Sequence, residues 1–206
     1  MSDFDYSAMD SLQFDVLREI GNIGAGNATT ALSQLLHSTK IDMKVPNVEL
    51  LDFQDLADMI GGAENLIVGI LLTLEGEIDG MMMFMMEKES AHHVINILMN
   101  RDLEDFESFT EMDLSALNEI GNIIAGAYLS SISTLTNMLI TSSVPYMAID
   151  MAGAILSVPA IEFGKVGDKA LVIKTQIVED DIEVSGYFVL IPTLESYSKI
   201  MASLGL

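Results

Sequence analysis

Internal duplication is the feature that most constrains how this 206-residue chain can fold. Residues 15–36 read DVLREIGNIGAGNATTALSQLL, and residues 115–136 read SALNEIGNIIAGAYLSSISTLT. At an offset of 100 positions the segments share the pairs Leu17/Leu117, Glu19/Glu119, Ile20/Ile120, Gly21/Gly121, Asn22/Asn122, Ile23/Ile123, Ala25/Ala125 and Gly26/Gly126. Two copies are too few for a solenoid, so the sequence predicts a single domain made of two related repeats.

The ends of the two repeats also correspond. Residues 80–98 match residues 186–204 through Gly80/Gly186, Glu89/Glu195, Ser90/Ser196 and Leu98/Leu204. The repeats therefore run over about 10–100 and 110–206. We expect the acidic segment from Arg101 to Asp113 to join them.

Each repeat has the pattern of a long helix, a loop ending in Val-Pro, an extended segment with a short helix, a β-hairpin and a closing helix. Apolar residues at helical spacing predict the first helix, and the β-rich runs LIVGILLTL, GMMMFMM, ALVIKTQIV and GYFVLIP predict the hairpins. The closing helices should begin at Ser90 and just after Pro192 and Thr193. We therefore expect an α+β fold with pseudo-two-fold symmetry, in which helices lie outside antiparallel strands.

Composition excludes several classes of function. With 31 acidic and 9 basic residues the formal charge is -22, so the chain has no basic cluster for nucleic acid and should avoid anionic membranes. Its charge either serves solubility or attracts lysine-bearing protein surfaces. The start, MSDFDYSAMD, resembles no secretory signal, which favours the cytoplasm. The long uncharged stretch between Glu119 and Asp150 contains too many polar residues for a membrane-spanning helix.

A stripe of polar side chains recurs on both long helices. Asp15, Glu19 and Asn22 are spaced so that a helix places all three on one face. The second repeat has the same stripe, formed by Ser115, Glu119 and Asn122. One exposed Glu and Asn would be an ordinary solvated surface. A duplicated stripe instead indicates a pair of related functional sites.

Glycine follows the same duplication. Gly21 and Gly121 directly precede the two Asn residues, although a glycine inside a helix costs about 1 kcal/mol relative to alanine. One interpretation is that they leave the helix surface bare beside Asn, so that a partner can approach closely. The alternative is helix packing through small residues, with Gly26 and Gly126 on the inner face.

These motifs resemble a known family. The pattern Asp/Ser-x-x-x-Glu-x-x-Asn, followed some two dozen residues later by Pro, is similar to the signature of the CheC, CheX and FliY phosphatases. Asp15, Glu19, Asn22 and Pro46 match the first copy, and Ser115, Glu119, Asn122 and Pro145 match the second. The first copy carries one extra residue before its proline. The resemblance covers essentially the whole chain and is closest to the two-site members.

The resemblance implies hydrolysis of the aspartyl phosphate on the response regulator CheY. Asn22 and Asn122 would orient the attacking water, and Glu19 and Glu119 would pair with a lysine of CheY. Mg²⁺ would be held by CheY, so this chain would need no cofactor of its own. Two rival functions remain open: a non-catalytic docking adaptor and a component of the flagellar switch.

The family also implies a second partner, the receptor deamidase CheD, which would bind the region after Pro145. Asp150 is the candidate interface residue there. Local sequence alone favours a helix N-cap or a turn residue at this position.

The remaining motifs are better explained by packing or turns than by a ligand site. GNIGAGN contains phosphate-loop glycines but lies inside a helical pattern, so a nucleotide site is not supported. The methionines before His92 and His93 suggest core packing rather than a copper site. The acidic turn from Glu179 to Glu183 lacks the glycine and terminal Glu of a calcium loop. We therefore predict no metal site.

Overall fold

A computed structural model describes residues 11–35, 41–102, 108–163, 169–179 and 182–206. The elements in these ranges are α1 (Ser11–Leu35), β1 (Ile41–Asp52), α2 (Phe53–Met59), β2 (Leu66–Gly76), β3 (Gly80–Glu87), α3 (Lys88–Leu98), α4 (Glu111–Thr136), β4 (Ile140–Ser142), β5 (Tyr146–Met151), α5 (Ala152–Phe163), β6 (Lys169–Glu179), β7 (Ile182–Pro192) and α6 (Leu194–Ser203). Part of the predicted join, residues 103–107, and two residues of the second acidic turn, Asp180 and Asp181, lie outside the described residues.

The strands form one antiparallel sheet in the order β1-β6-β7-β3-β2-β4, with β5 also pairing with β2. The two predicted hairpins are present as β2–β3 and β6–β7. The first strand of each repeat pairs with the hairpin of the other repeat. Thus β1 lies beside β6, whereas β4 and β5 lie beside β2. Each repeat therefore supplies an outer strand to its neighbour.

Helices cover both faces of the sheet, so the predicted α+β fold with outer helices is confirmed. One cluster of buried residues brings α1, α3, α4 and α6 against one face. The other cluster brings α2 and α5 against the opposite face. In β3 the side chains alternate between the two clusters: Met82, Phe84 and Met86 enter the first, and Met81, Met83 and Met85 enter the second. The methionines therefore fill core.

One local prediction differs from the structure. The first closing helix begins at Lys88 instead of Ser90, because β3 runs directly into it and its N-cap, Glu87, makes no side-chain cap bond. The other closing helix begins as expected after Thr193, whose hydroxyl accepts a hydrogen bond from the backbone N–H of Ser196 at 3.2 Å.

An ion pair connects the two ends of the segment that joins the repeats. Arg101 Nη2 lies 2.8 Å from Asp113 Oδ1. Asp113 also forms a reciprocal capping box with Thr110 at the start of α4. Burial alone would raise the pKa of Asp113, but the hydrogen bonds from Arg101 and Thr110 outweigh it and hold the pKa below its usual range. The ionised carboxylate therefore stabilises the start of α4.

The predicted consequence is a pH-dependent effect of Asp113→Asn. At pH 7 the variant should lose roughly 1–3 kcal/mol of unfolding free energy, because a helix cap and a buried ionic hydrogen bond are removed. A depressed folded-state pKa contributes stability above the unfolded-state pKa, near 3.8, and loses it as pH falls through the folded value. Urea unfolding at pH 7 and in acid should show the difference shrinking. Glu111→Gln, an exposed change in the same turn, should show a much smaller loss; an equal loss in both variants would contradict the assignment.

Candidate functional site

The first predicted stripe lies on the solvent side of α1. Asp15, Glu19 and Asn22 are all exposed, while Leu17 and Ile20 behind them are buried at 3% exposure each. Asp15 accepts a hydrogen bond from Arg18 Nη2 at 2.8 Å. The helix thus holds a carboxylate and an amide one turn apart on an open surface.

The second stripe has the same placement on α4. Ser115, Glu119 and Asn122 are exposed, and Leu117 and Ile120 are buried beneath them. The copies differ at one flank, since the Asp15–Arg18 ion pair of α1 is replaced by Ser115 and Asn118. The two candidate sites therefore share the Glu and Asn but differ in local charge.

The two long helices pack against each other through an aromatic side chain. The ring of Tyr128 on α4 fills the space beside Gly24 on α1, where a Cβ atom would lie 2.6 Å from the ring. Tyr128 stacks on Phe188 with centroids 4.0 Å apart, and its hydroxyl lies 3.1 Å from Thr175 Oγ1. Burial raises the pKa of Tyr128 to about 12, so the phenol stays neutral.

This contact explains the main mismatch between the repeats. Where the first repeat has Gly24 and Ala28, the second has Ile124 and Tyr128. All three side chains, those of Ala28, Ile124 and Tyr128, are completely buried. A small residue in one copy thus accompanies a large one in the other, which keeps the shared core filled. Because Gly24 lies within the continuous helix α1, GNIGAGN forms no phosphate-binding loop.

The glycines before the two Asn residues are packing residues. A Cβ on Gly21 would lie 3.2 Å from Ile173, and one on Gly121 would lie 2.3 Å from Ile70. The interpretation that they leave a bare surface beside Asn is therefore wrong. The expectation that Gly26 and Gly126 lie on the inner face is also wrong, because both are exposed and a Cβ on either would meet nothing within 4 Å.

Both prolines of the motif interrupt an edge strand. Pro46 lies in β1 where the pairing with β6 shifts between Lys44 and Asn47, and Pro145 separates β4 from β5. Proline has no backbone N–H to give to a sheet, which accounts for both breaks. The predicted loop before Pro46 is instead partly strand. Val45, its neighbour, lies where it would touch a Cβ on Gly21, so the first break sits beside the turn of α1 that carries Asn22.

Asp150 lies apart from both stripes. It is exposed near the end of β5, opposite Ile67 of β2, and its carboxylate accepts a hydrogen bond from the backbone N–H of Met151 at 2.8 Å. It is therefore a strand residue, and the alternative of a helix N-cap or turn is wrong. Exposed apolar residues surround it, and an apolar groove opens nearby between β5 and α5, lined by Gly69, Leu71, Met83, Tyr146, Ala148, Ile155 and Val158.

Two further properties concern the described ranges as a whole. They contain no group of three or more His, Cys, Asp or Glu side chains that could hold a metal ion. No helix within them is long and apolar enough to cross a membrane.

Taken together, the interleaved α+β sheet and the two exposed Glu/Asn stripes define an internally duplicated protein with a pair of matching surface sites. Two family profiles match: the CheC-like family over residues 12–50 and the chemotaxis phosphatase CheX over residues 67–163. The CheY-P phosphatase CheC of Bacillus subtilis is 38% identical over 204 residues, which span 97% of each chain. The chain belongs to the CheC-like family, and the resemblance noted in the sequence is confirmed.

Solved structures agree on the fold. FliY of Thermotoga maritima matches with a TM-score of 0.76 at 21% identity, covering 96% of this chain and 98% of that one. CheX of Borrelia burgdorferi, solved in a complex with CheY, BeF3 and magnesium, matches with a TM-score of 0.50 at 20% identity over 84% of this chain and 96% of that one. These similarities support the architecture, whereas any statement about chemistry rests on the residues of the stripes.

The Gly24–Tyr128 contact makes a testable prediction. Gly24→Ala should lower the free energy of unfolding by roughly 1–3 kcal/mol, because the new methyl group collides with a ring that is stacked and buried. The matched control Gly26→Ala enters open space and should instead gain up to about 1 kcal/mol from helix propensity. Chemical denaturation of both variants would test this. Equal stabilities would show that Tyr128 does not require a glycine opposite it.

Proposed function

We propose that this protein hydrolyses the aspartyl phosphate of phosphorylated CheY at two sites, one on α1 and one on α4. The observation that carries the proposal is the matched exposure of Asn22 and Asn122, each with a Glu one turn earlier. The 38% identity to a CheY-P phosphatase supports it. Both stripes project from helices whose opposite faces are fixed in the core, so the amides are held on a rigid support.

The role of Asn follows from the demands of phosphoryl transfer. A water oxygen attacks phosphorus and the bond from phosphorus to the aspartyl oxygen breaks, so the aspartate leaves as a carboxylate and both protons of the water end on the dihydrogen phosphate that forms. Such a reaction needs positioning and charge stabilisation more than a strong base. An Asn amide has one acceptor oxygen and two donor hydrogens, so Asn22 and Asn122 can each orient a water in line with the phosphorus. On this proposal CheY holds the Mg²⁺ that neutralises the phosphoryl oxygens.

Glu19 and Glu119 would fix how CheY docks. Each is an exposed carboxylate on the same helix face as its Asn, where it can pair with a lysine near the phosphorylation site of CheY. The formal charge of -22 would favour encounter with a basic surface over long distances. Pairing at the rim of an interface sets orientation and association rate more than final affinity.

A non-catalytic adaptor is the main rival, and a flagellar-switch component is the second. Fold similarity does not separate them, because matches at 20–21% identity show the fold alone. The Asn residues do favour the enzyme, since docking alone would not require a water-orienting amide at the same position of both helices. Hydrolysis of labelled CheY phosphate with and without the protein separates the three.

CheD is the proposed second partner, with Asp150 as its contact. On the same face of β5 as the Asp150 carboxylate, Tyr146 and Ala148 line the apolar groove beside α5, so this face offers apolar contact area together with a charged anchor. Asp150 pairs with Ile67 of the cluster beneath α2 and α5, so its carboxylate lies on the face of the sheet opposite the helices that carry the stripes. Both partners could therefore bind through different parts of the molecule.

The double substitution Asn22→Ala and Asn122→Ala should abolish accelerated dephosphorylation, because no amide remains to orient water. Both side chains are exposed, so the thermal midpoint should stay unchanged. Asn27→Ala, an exposed change on α1 away from the stripe, is the matched control and should keep full activity. Loss of phosphate from labelled CheY is the measurement. Wild-type rates in the double variant would refute the water-positioning role.

Asp150→Lys should abolish CheD binding and leave CheY dephosphorylation nearly intact. Disrupting a desolvated, hydrogen-bonded charge pair can cost about 2–5 kcal/mol of affinity, and Asp150 lies on neither stripe. A pull-down with CheD and a phosphatase assay on the same preparation would test both halves of the statement. Glu75→Lys, an exposed charge reversal at the other end of β2, should change neither. Retained CheD binding would remove Asp150 from the interface.

A further inference from the structure

Gly26 and Gly126 have no structural explanation within the molecule. Each lies inside a long helix, where glycine costs about 1 kcal/mol relative to alanine. Neither has a positive φ that would demand glycine. The other glycines of these helices, Gly21, Gly24 and Gly121, all face a neighbour that a Cβ would crowd, but Gly26 and Gly126 face open space.

Their position relates them to the stripes. Gly26 follows Asn22 by four residues and Gly126 follows Asn122 by four, so each lies one turn further along the same face. An Asn side chain extends only a few ångströms beyond the helix backbone. A water held by its amide is therefore close to the helix surface, and a phosphoryl group that reacts with that water must come equally close.

The opposite end of each stripe is also duplicated. Leu12 and Met112 occupy matching positions, three residues before Asp15 and Ser115, and their exposures are 55% and 66%. A single exposed apolar residue is ordinary. Two of them at the same place on the repeated helices provide one apolar contact for each site. The face from Leu12 to Gly26 extends about 21 Å along the helix at 1.5 Å per residue.

We propose that each long helix presents a docking strip for phosphorylated CheY, which begins at an apolar anchor and ends at a bare glycine. The strips comprise Leu12, Glu19, Asn22 and Gly26 on α1, and Met112, Glu119, Asn122 and Gly126 on α4. The glycine admits the backbone of the CheY loop beside the phosphoryl group, which brings that group within reach of the Asn amide. Gly26 and Gly126 are thus positioning residues. The inference rests on the proposed function and adds how the partner is seated.

The test is the double variant Gly26→Gln and Gly126→Gln in the full chain. Its affinity for CheY carrying beryllium fluoride, a stable phosphoryl mimic, should fall at least tenfold, and KM for phosphorylated CheY should rise by a similar factor. Its thermal midpoint should stay equal or rise, because glutamine is a better helix former than glycine. Asn27→Gln, next to Gly26 but off the strip, should bind normally. A second pair, Leu12→Ser with Met112→Ser, should weaken binding without changing kcat.

The outcomes separate the two proposals. Wild-type affinity in the glutamine variant would overturn the docking strip. A lower thermal midpoint in both the glutamine variant and the milder double variant Gly26→Ala and Gly126→Ala would also overturn it, because the glycines would then serve the fold. If the unaltered protein binds the beryllium fluoride complex but releases no phosphate from phosphorylated CheY, the phosphatase function fails while the strip is still tested by binding.

Discussion

The packing of Tyr128 against Gly24 is the contact on which the arrangement of the two sites depends. It joins α1 to α4, the helices that carry the stripes, and through Phe188 and Thr175 it joins both to the sheet. Interiors pack as densely as crystals, so a buried ring in this place allows the helices few alternative positions. The orientation of each exposed amide therefore follows from contacts on the hidden side of its helix.

The two repeats differ in their buried residues but agree in the exposed residues of the stripes. The repeats differ where Gly24 and Ala28 correspond to Ile124 and Tyr128, yet Glu and Asn are identical in both stripes. The two repeats can contribute buried side chains of different size, as long as their total volume fills the core. A water-orienting amide has no such freedom, because its chemistry depends on its own geometry. The surface residues thus mark function more clearly than the buried ones do.

The sequence predicted what local periodicity controls. The long helices and the shared face of Glu19 and Asn22 follow from helical spacing, both hairpins follow from β-rich runs, and the start of the last helix follows from Pro192 and Thr193. It did not predict the roles of Gly21 and Gly26, because a helical repeat defines a face but not which neighbour covers it. The strand position of Asp150 and the Arg101–Asp113 ion pair were missed for a related reason, since each depends on pairing with a distant segment. No comparable test exists for the catalytic roles, which stay predictions.

The exchange of outer strands has a consequence for how the molecule is made. Strand β1 finds its partner only when β6 exists, and Ile41 pairs with Glu179. During synthesis β1 therefore has no strand to pair with, and the apolar face of the first repeat stays exposed, until nearly the whole chain has emerged. Such distant pairings slow folding and expose intermediates to aggregation. The strong negative charge, 31 acidic against 9 basic residues, keeps such unfinished chains apart through mutual repulsion.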